Sequence, residues 1–396
     1  MNKEIKKIAE EIKDEIVALR RKIHMNPELG YEEYETSKLV SEKLKEYGIE
    51  TKTNIAKLGV IGIIRGTAGE GPTIGIRADM DALPLQEEND VPYKSKVDGK
   101  MHACGHDAHT AILLGVGKIL VKLKDKIKGN IKLFFQPAEE GKGGAKPMVE
   151  EGALKDPEVS AVIALHVDED VQINTIEIKD GSFTASSDEF WIDIKGKGGH
   201  AALPHETIDP IIVGSFIVNA IQTIASRNTN PVHSIVVTVG TFHAGTIYNI
   251  IPDTARLTGT IRALTPKDRE ETYNHLQRIV KGVQETFGGE ITIGIRLGYS
   301  PGMNDSDLNA ILKDAASEII GEENIKIAEF PSMGAEDFFD FSDNYRIPVS
   351  MFWLGVGNEK KGIIYPGHNP RFDIDEDAIP IGCSILALTA FRYLEK

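Results

Sequence analysis

The stretch IKLFFQPAEE, residues 131–140, joins a short, mostly apolar run to two adjacent carboxylates. A short run rich in apolar and aromatic residues is typical of a strand that is buried on both faces of a sheet. Glu139 and Glu140 therefore come just past the end of a predicted buried strand. In open α/β sheets, ligands bind in the crevice beyond the carboxyl ends of the strands. The stretch thus predicts an α/β fold and one segment of a functional site.

Three other strand-like runs are followed by polar residues in the same way. They are 73–78 with Asp79 and Asp81, 159–165 with His166, and 349–354 with a later loop that carries His368. Polar side chains that follow several strands converge in space when those strands end at one edge of a sheet. The sequence therefore predicts a single site built from four segments of the chain.

The run MHACGHDAH, residues 101–109, adds one thiol and three imidazoles. Thiolate and imidazole are ligands suited to zinc and its first-row neighbours. Two other interpretations of Cys104 stay open: a nucleophile with His106 or His109 as its base, and a buried structural thiol. Metal ligation is favoured, because a thiol nucleophile needs neither a pair of glutamates nor further histidines after other strands.

A hydrolytic metal site explains why these residue types occur together. A bound divalent metal can polarise a carbonyl group and lower the pKa of bound water to about 7. Glu139 and Glu140 then divide into a base that handles the proton and a ligand that holds the metal. Five or more candidate ligands from dispersed segments suggest two metals with a shared ligand, and Cys104 is a candidate for that bridge.

The organisation of the chain indicates two domains, as expected for 396 residues. Strands and helices alternate up to about residue 184 and again from 298 to 396, which predicts a mostly parallel or mixed sheet flanked by helices. Residues 185–297 follow the order β-α-β-β-α-β of a ferredoxin-like α+β unit. The predicted elements of this insert are strands 189–195, 234–242, 254–262 and 290–297, and helices 208–227 and 266–287. One catalytic domain, 1–184 and 298–396, is therefore interrupted by a second domain.

Composition restricts the partners and the compartment. The net charge of −15 argues against nucleic acid and anionic membranes, which are bound by basic surfaces. We find no apolar stretch of the roughly 20 residues that a membrane span needs and no signal-peptide core. Two cysteines, Cys104 and Cys383, offer no disulfide framework. We expect a cytoplasmic protein.

Four motifs resemble the M20 family of metallopeptidases. They are GIRADMDALP at 75–84, HACGHD at 102–107, QPAEEG at 136–141 and GHNPRF at 367–372. They are most similar to the amidohydrolase subgroup, which includes N-acyl-amino-acid amidohydrolases, hippurate hydrolases and indole-acetyl-amino-acid hydrolases. The resemblance covers essentially the whole chain.

The resemblance assigns roles to the candidate residues. It implies that the metal ligands are Cys104, His106, Glu140, His166 and His368. It also implies that Glu139 is the general base and acid and that Asp81 is a supporting carboxylate. Many members of the wider family have His-x-Asp where this chain has Asp79-Met80-Asp81, and a bridging Asp in place of Cys104. Thiolate favours zinc, while cobalt, manganese or nickel could occupy the same ligands.

The implied activity is that of an aminoacylase, a hydrolase that cleaves the amide of N-acyl amino acids, such as N-acetyl amino acids, through a metal-activated water. A metallo-carboxypeptidase or dipeptidase with the same mechanism is the alternative, and a non-catalytic metal-binding protein is a weaker one. The resemblance implies that His200 and Asn249 in the insert reach substrate, across a homodimer or higher oligomer formed through this lid domain. Arg262 could pair with a substrate carboxylate, or be an ordinary surface arginine.

Overall fold

Helices and strands alternate along the chain, as the apolar patterns predict. The structure, a computed structural model, describes all residues from 1 to 396. The helices are α1 Asn2–His24, α2 Tyr34–Glu46, α3 His106–Lys122, α4 Glu139–Lys142, α5 Ala145–Glu150, α6 Pro210–Thr223, α7 Pro266–Phe287, α8 Ser306–Ile320 and α9 Ile379–Glu395. The strands are β1 Glu50–Ile55, β2 Gly59–Arg65, β3 Thr73–Asp79, β4 Asn130–Gln136, β5 Ala161–Gln172, β6 Ile176–Ile178, β7 Gly181–Thr184, β8 Asp188–Lys195, β9 Gly199–His200, β10 Ile235–Ala244, β11 Ile250–Ile251, β12 Thr254–Ala263, β13 Glu290–Arg296, β14 Gly302–Asn304, β15 Ile325–Ile327 and β16 Val349–Gly357.

The chain divides into two compact units. The first consists of Met1–Gly181, Met303–Glu329 and Asp337–Lys396, and the second of Ser182–Gly302 and Phe330–Glu336. The predicted second stretch of the catalytic domain, 298–396, is not continuous in the first unit, because residues 330–336 belong to the second unit. A backbone hydrogen bond ties residues 330–336 to the second unit, because the Ser332 N–H donates to the Phe183 carbonyl at 2.8 Å.

The first unit contains an eight-stranded mixed sheet in the order β1-β2-β4-β3-β5-β16-β6-β15. The central strands β4, β3, β5 and β16 run parallel to one another, while β2 is antiparallel to β4 and β6 is antiparallel to β16. β3 is buried along its whole length and β4 along nearly all of it, as expected for parallel strands with both faces covered. The carboxyl ends of the parallel strands therefore meet at one edge of the sheet.

Helices α3 and α9 pack against β3 of the sheet and against each other, and α1 packs against both helices. The close approach of α3 to α9 requires a glycine, because a Cβ at Gly115 would lie 2.7 Å from the Cys383 Sγ. Residues 376–395, which include α9, are long and apolar enough to cross a membrane. The expectation that no stretch reaches this length is therefore wrong. However, 78% of this segment's apolar window is buried inside the protein, as in the core helix of a soluble protein.

The second unit is a four-stranded antiparallel sheet with two helices. The strand order is β10-β12-β8-β13, which is the order of a ferredoxin-like fold, and α6 and α7 pack on one face of it. Helix α7 has the predicted bounds, because Thr265 caps its first turn and Pro266 begins it. Helix α6 is shorter than predicted, since a π-helical turn, Ile224–Asn228, follows Thr223. The predicted fold class is confirmed.

Candidate metal centre and active site

Four elements of the first unit place the candidate residues near one edge of its sheet. Asp79 ends β3, His106 begins α3 and Glu139 begins α4, directly after β4. His166 differs from its expected place, because β5 continues beyond it to Gln172 and His166 lies within the strand. The strand continues because β16 pairs with it there, with Trp353 opposite His166.

The thiol of Cys104 lies at the centre of two overlapping groups of possible metal ligands. In the first group, the Cys104 Sγ is 3.4 Å from the His166 Nε2, and one His106 nitrogen lies within 4.8 Å of both. In the second group, the Glu140 Oε1 is 3.3 Å from the His368 Nε2, and both residues have an atom within 4.8 Å of the same thiol. Two donor sets that share one sulfur are an arrangement that suits two metal ions.

The loop that carries His368 is tied to the loop that carries Cys104. The His368 N–H donates to the Ala103 carbonyl at 2.7 Å, and the Gly367 N–H donates to the Glu169 Oε1 at 2.8 Å. His368 has a positive φ of 62°, which is uncommon outside glycine and is often found at functional sites. These ties hold an exposed imidazole beside the half-buried thiol.

A test of the fit to a metal comes from His106. Its Nδ1 lies 3.3 Å from the Asp81 Oδ1, and its Nε2 is buried with no hydrogen-bond partner. Buried polar atoms almost always have a partner, and a ligating histidine commonly uses its second nitrogen to contact a carboxylate. His106 therefore has the arrangement of a metal ligand, and the donor set of thiol, imidazole and carboxylate suits zinc.

The electrostatics of the cluster favour the ligating form of the thiol. Burial opposes ionisation of Cys104, but the adjacent His106 and His166 outweigh it and lower the pKa of the thiol to about 6. Hydrogen bonds to Cys104 and to Glu140 raise the pKa of His368 to about 10. Thiolate is the form that binds metals, so the site is already arranged for deprotonated sulfur.

Asp81 holds the turn that presents the two glutamates. Its Oδ1 accepts a hydrogen bond from the Glu139 N–H at 3.0 Å, and its Oδ2 accepts one from the Glu140 N–H at 2.9 Å. The preceding residue, Ala138, has left-handed backbone angles, with φ 57° and ψ 43°. Asp81 thus acts on backbone groups, and Glu139, only 7% exposed, is the carboxylate placed at the start of α4.

Asp79 and Asp337 belong to a buried charge network behind this cluster. Asp79 pairs with the Arg77 Nη1 at 2.7 Å, and its Oδ1 lies 2.6 Å from the His109 Nδ1. Asp337 accepts from the Arg77 Nη2 at 3.0 Å and from the Gln136 Nε2 at 2.7 Å. This role of Asp337 was not predicted from the sequence. The signal for it is Arg77, because a charge within a buried strand needs an opposite charge nearby.

The three candidates in the second unit lie at two places. His200 forms part of β9, and its Nδ1 accepts from the Ala202 N–H at 3.0 Å. Asn249 is exposed on the neighbouring segment, where its carbonyl accepts from the Ala201 N–H at 3.2 Å. Arg262 lies near the end of β12, opposite Val236 of β10. The structure therefore brings His200 and Asn249 together and leaves Arg262 at the far end of a ten-residue strand.

A mixed α/β sheet with thiol, imidazole and carboxylate groups gathered near one edge has the fold and the donor groups of a metallohydrolase. The sequence profile of Peptidase family M20/M25/M40 matches residues 75–392, and the chain belongs to this family.

Relatives and solved structures agree with this membership. The chain is 43% identical to thermostable carboxypeptidase 2 of Saccharolobus solfataricus, over 99% of this chain and 98% of the relative. It is 40% identical to the IAA-amino acid hydrolase ILR1-like 4 of Arabidopsis thaliana, over 96% of this chain and 86% of the relative. A dinuclear metal-binding M20 peptidase of Bacillus subtilis has a similar structure, with a TM-score of 0.86, 33% identity and coverage of 98% and 99% of the two chains. The protein is therefore a metal-dependent hydrolase of amide or peptide bonds.

Proposed function

We propose that the protein hydrolyses the amide bond of N-acyl amino acids or similar small conjugates. The observation that carries this proposal is the position of Glu139, whose backbone is fixed by Asp81 directly beside two overlapping groups of metal donors. A relative of similar length is named for hydrolysis of amino acid conjugates, which supports a small acylated amino acid as the substrate.

We assign five side chains to the metals. They are Cys104, His106, Glu140, His166 and His368, and the Cys104 thiol belongs to both groups of donors that would hold the ions. When bound, divalent metals would polarise the substrate carbonyl and make water more acidic. Zinc fits the thiolate best, while cobalt, manganese and nickel fit the same donors.

Glu139 moves the proton in this scheme. Its carboxylate accepts a proton from the attacking water and later donates that proton to the nitrogen of the leaving amine. The water oxygen becomes part of the new carboxylate, and the C–N bond breaks to release the amino acid. Asp81 keeps Glu139 in place through the backbone, which preserves the geometry that proton transfer requires.

The second unit supplies the proposed contacts to substrate and to a second copy of the chain. We assign His200, Asn249 and Arg262 to the substrate. Helix α6 exposes 49% of both Ile212 and Phe216, and the edge strand β10 of the sheet has an unpaired side. Apolar side chains and a free strand edge on one unit are features of an interface, which supports a homodimer formed through this unit. A cytoplasmic location fits two free cysteines.

A carboxypeptidase or dipeptidase is the second candidate. The observation in its favour is the thermostable carboxypeptidase that shares 43% identity with this chain over nearly the full length of both. The two candidates use the same chemistry and release the same kind of product, a free amino acid. They differ in the group on the carbonyl side of the scissile bond, which is a simple acyl group in one case and an aminoacyl or peptidyl group in the other. A comparison of rates on the two kinds of substrate separates them.

The test is a panel of N-acetyl amino acids, N-benzoyl amino acids and dipeptides, assayed with metal-stripped protein and with zinc, cobalt, manganese or nickel added separately. We expect metal to restore activity, fastest on acyl amino acids. Glu139→Gln should lower kcat by about 10² to 10⁴-fold with metal content unchanged, since the proton carrier is lost. Glu42→Gln, on an exposed position of α2, is the matched control. Activity that survives removal of metal would contradict the proposal and favour Cys104 as a nucleophile.

A further inference from the structure

A buried carboxylate outside the metal cluster contacts the turn that presents Glu139. Glu33 is fully buried, with 0% of its surface exposed. Its Oε1 accepts a hydrogen bond from the Ala138 N–H at 2.7 Å. Ala138 directly precedes Glu139, so a residue from the N-terminal part of the chain touches the catalytic turn.

The Glu33 side chain does not cap the helix that it precedes. It occupies the N-cap position of α2, but its side chain makes no capping hydrogen bond. Glu28 does this instead, because its Oε1 accepts from the Glu35 N–H at 3.0 Å and its Oε2 accepts from the Thr36 N–H at 2.9 Å. Glu28 thus accepts the hydrogen bonds from the first turn of α2 that an acidic N-cap residue ordinarily accepts. The Glu33 carboxylate instead accepts a hydrogen bond from Ala138.

The backbone of Ala138 needs such a contact. Its φ of 57° and ψ of 43° lie in the left-handed region, which a residue with a Cβ seldom adopts unless its surroundings hold it there. Three successive backbone N–H groups donate to carboxylates at this point. Ala138 donates to Glu33, and Glu139 and Glu140 donate to the two oxygens of Asp81. Two buried carboxylates therefore hold one turn.

The segment that carries Glu33 lies directly against this turn. A Cβ at Gly30 would lie 3.0 Å from the Ala138 Cα and 3.2 Å from the Asp81 Oδ2, so any larger residue would require these neighbours to shift by a few tenths of an ångström. The segment is fixed on its other side by the Ala82 N–H, which donates to the Glu28 carbonyl at 2.8 Å. These contacts place the segment so that Glu33 meets Ala138.

We propose that Glu33 is a positioning residue for hydrolysis, because its hydrogen bond holds Ala138 in the left-handed conformation that directs Glu139 and Glu140 towards the metals. This inference rests on the proposed function, in which Glu139 carries the proton and Glu140 binds metal. The role requires an oxygen that accepts a hydrogen bond and does not require a negative charge.

The experiment is a double-mutant cycle with Glu33→Leu, Ala138→Gly and the combination of both, together with Glu33→Gln. Glycine adopts positive φ without steric strain, so the turn should depend much less on Glu33 once residue 138 is glycine. In the wild-type background, we expect Glu33→Leu to lower kcat about 10 to 100-fold, as does the loss of a residue that supports a metal ligand from behind. We also expect the visible spectrum of the cobalt-loaded protein to change. In the Ala138→Gly background, the loss of kcat caused by Glu33→Leu should be at least fivefold smaller. Glu33→Gln should keep at least ten times the kcat of Glu33→Leu, because its amide oxygen can accept the bond.

Two results would overturn the inference. One is a wild-type kcat and cobalt spectrum for Glu33→Leu. The other is an equal loss of kcat in both backgrounds, which would make the residue merely structural. Leu44→Ala, a buried substitution in α2, shows what lost stability alone does to both measurements. Glu139→Gln is assayed in parallel. If that variant stays active, the proposed function fails, whereas the cobalt spectra of the cycle still report on the Glu33 contact.

Discussion

His109 accepts a hydrogen bond at its Nε2 from the backbone N–H of Val167, at 2.9 Å. An N–H group can only donate, so this nitrogen is unprotonated and Nδ1 carries the proton that it shares with the Asp79 Oδ1 at 2.6 Å. Burial keeps the ring neutral by lowering the pKa of His109 to about 4. Both nitrogens are thus occupied. In this arrangement neither nitrogen is available as a base for Cys104, and the ring fixes the strand next to His166.

Replacement of His109 tests this role. In His109→Leu the Asp79 carboxylate and the Val167 N–H lose a buried partner, and each loss costs about 1–3 kcal/mol of unfolding free energy. His109→Gln offers one donor and one acceptor and should recover part of that loss. Denaturant unfolding of the metal-free proteins measures the change in unfolding free energy. Ile112→Ala, at a buried position of the same helix, is the control for the effect of a cavity alone. A His109→Leu variant as stable as the wild type would contradict the assignment.

The Cys104 thiol should react selectively in metal-free protein. Its pKa of about 6 makes it mostly thiolate at pH 7, whereas burial raises the pKa of Cys383. Iodoacetamide should therefore modify one thiol per chain, and bound zinc should prevent the reaction. Intact-protein mass spectrometry of wild type, Cys104→Ser and Cys383→Ser gives the count. Equal labelling with and without metal would argue against sulfur as a ligand.

Metal content should report the two donor sets separately. His166→Ala removes a donor from the set with Cys104 and His106, and His368→Ala removes one from the set with Cys104 and Glu140. Each variant should lose about one of two ions after dialysis, since a lost ligand weakens one site, and Cys104→Ser should weaken both. Elemental analysis provides the measurement, with the exposed His205→Ala as the control. Unchanged content in both variants would refute the ligand assignment.

The stability of the protein should depend on pH through Glu33. Burial, with a smaller contribution from the negative Asp81, raises the pKa of this carboxyl to about 7 from an ordinary value of 4.5. The folded chain therefore binds more protons than the unfolded chain between these values, so this group lowers stability as pH rises through them. Between pH 5 and pH 8, the free energy of unfolding of Glu33→Gln should therefore rise relative to that of the wild type. The rise should be at most about 3 kcal/mol, since one pKa unit is worth about 1.4 kcal/mol.

Denaturant unfolding at several pH values in this range measures that difference. Glu42→Gln, at an exposed position, should show no comparable trend relative to the wild type. A difference between Glu33→Gln and the wild type that stays constant with pH would mean that Glu33 keeps an ordinary pKa in the folded protein.

The ends of some helices and strands could be predicted from the sequence, because the residues that terminate these elements are neighbours in the chain. Helix α7 could be predicted from end to end, because its cap and its first proline lie beside it in the chain. The ends of β3 and β4 followed from apolar runs that stop at polar residues. The family motifs named the side chains of the site, and the structure brings those of the first unit together. Their roles as ligands stay a prediction.

Contacts between distant segments were decided only by the tertiary structure. Strand β5 passes through His166 because β16 pairs with it, and no local pattern shows that pairing. Glu33 meets Ala138 across 105 positions, and Arg77 meets Asp337 across 260. A sequence displays which side chains are acidic, but the partner and the solvent exposure of each acid depend on packing. The fold class and the chemical groups of the site could therefore be predicted from the amino-acid sequence, whereas packing sets which carboxylates lie beside the Cys104 donor groups and which hold the backbone behind them.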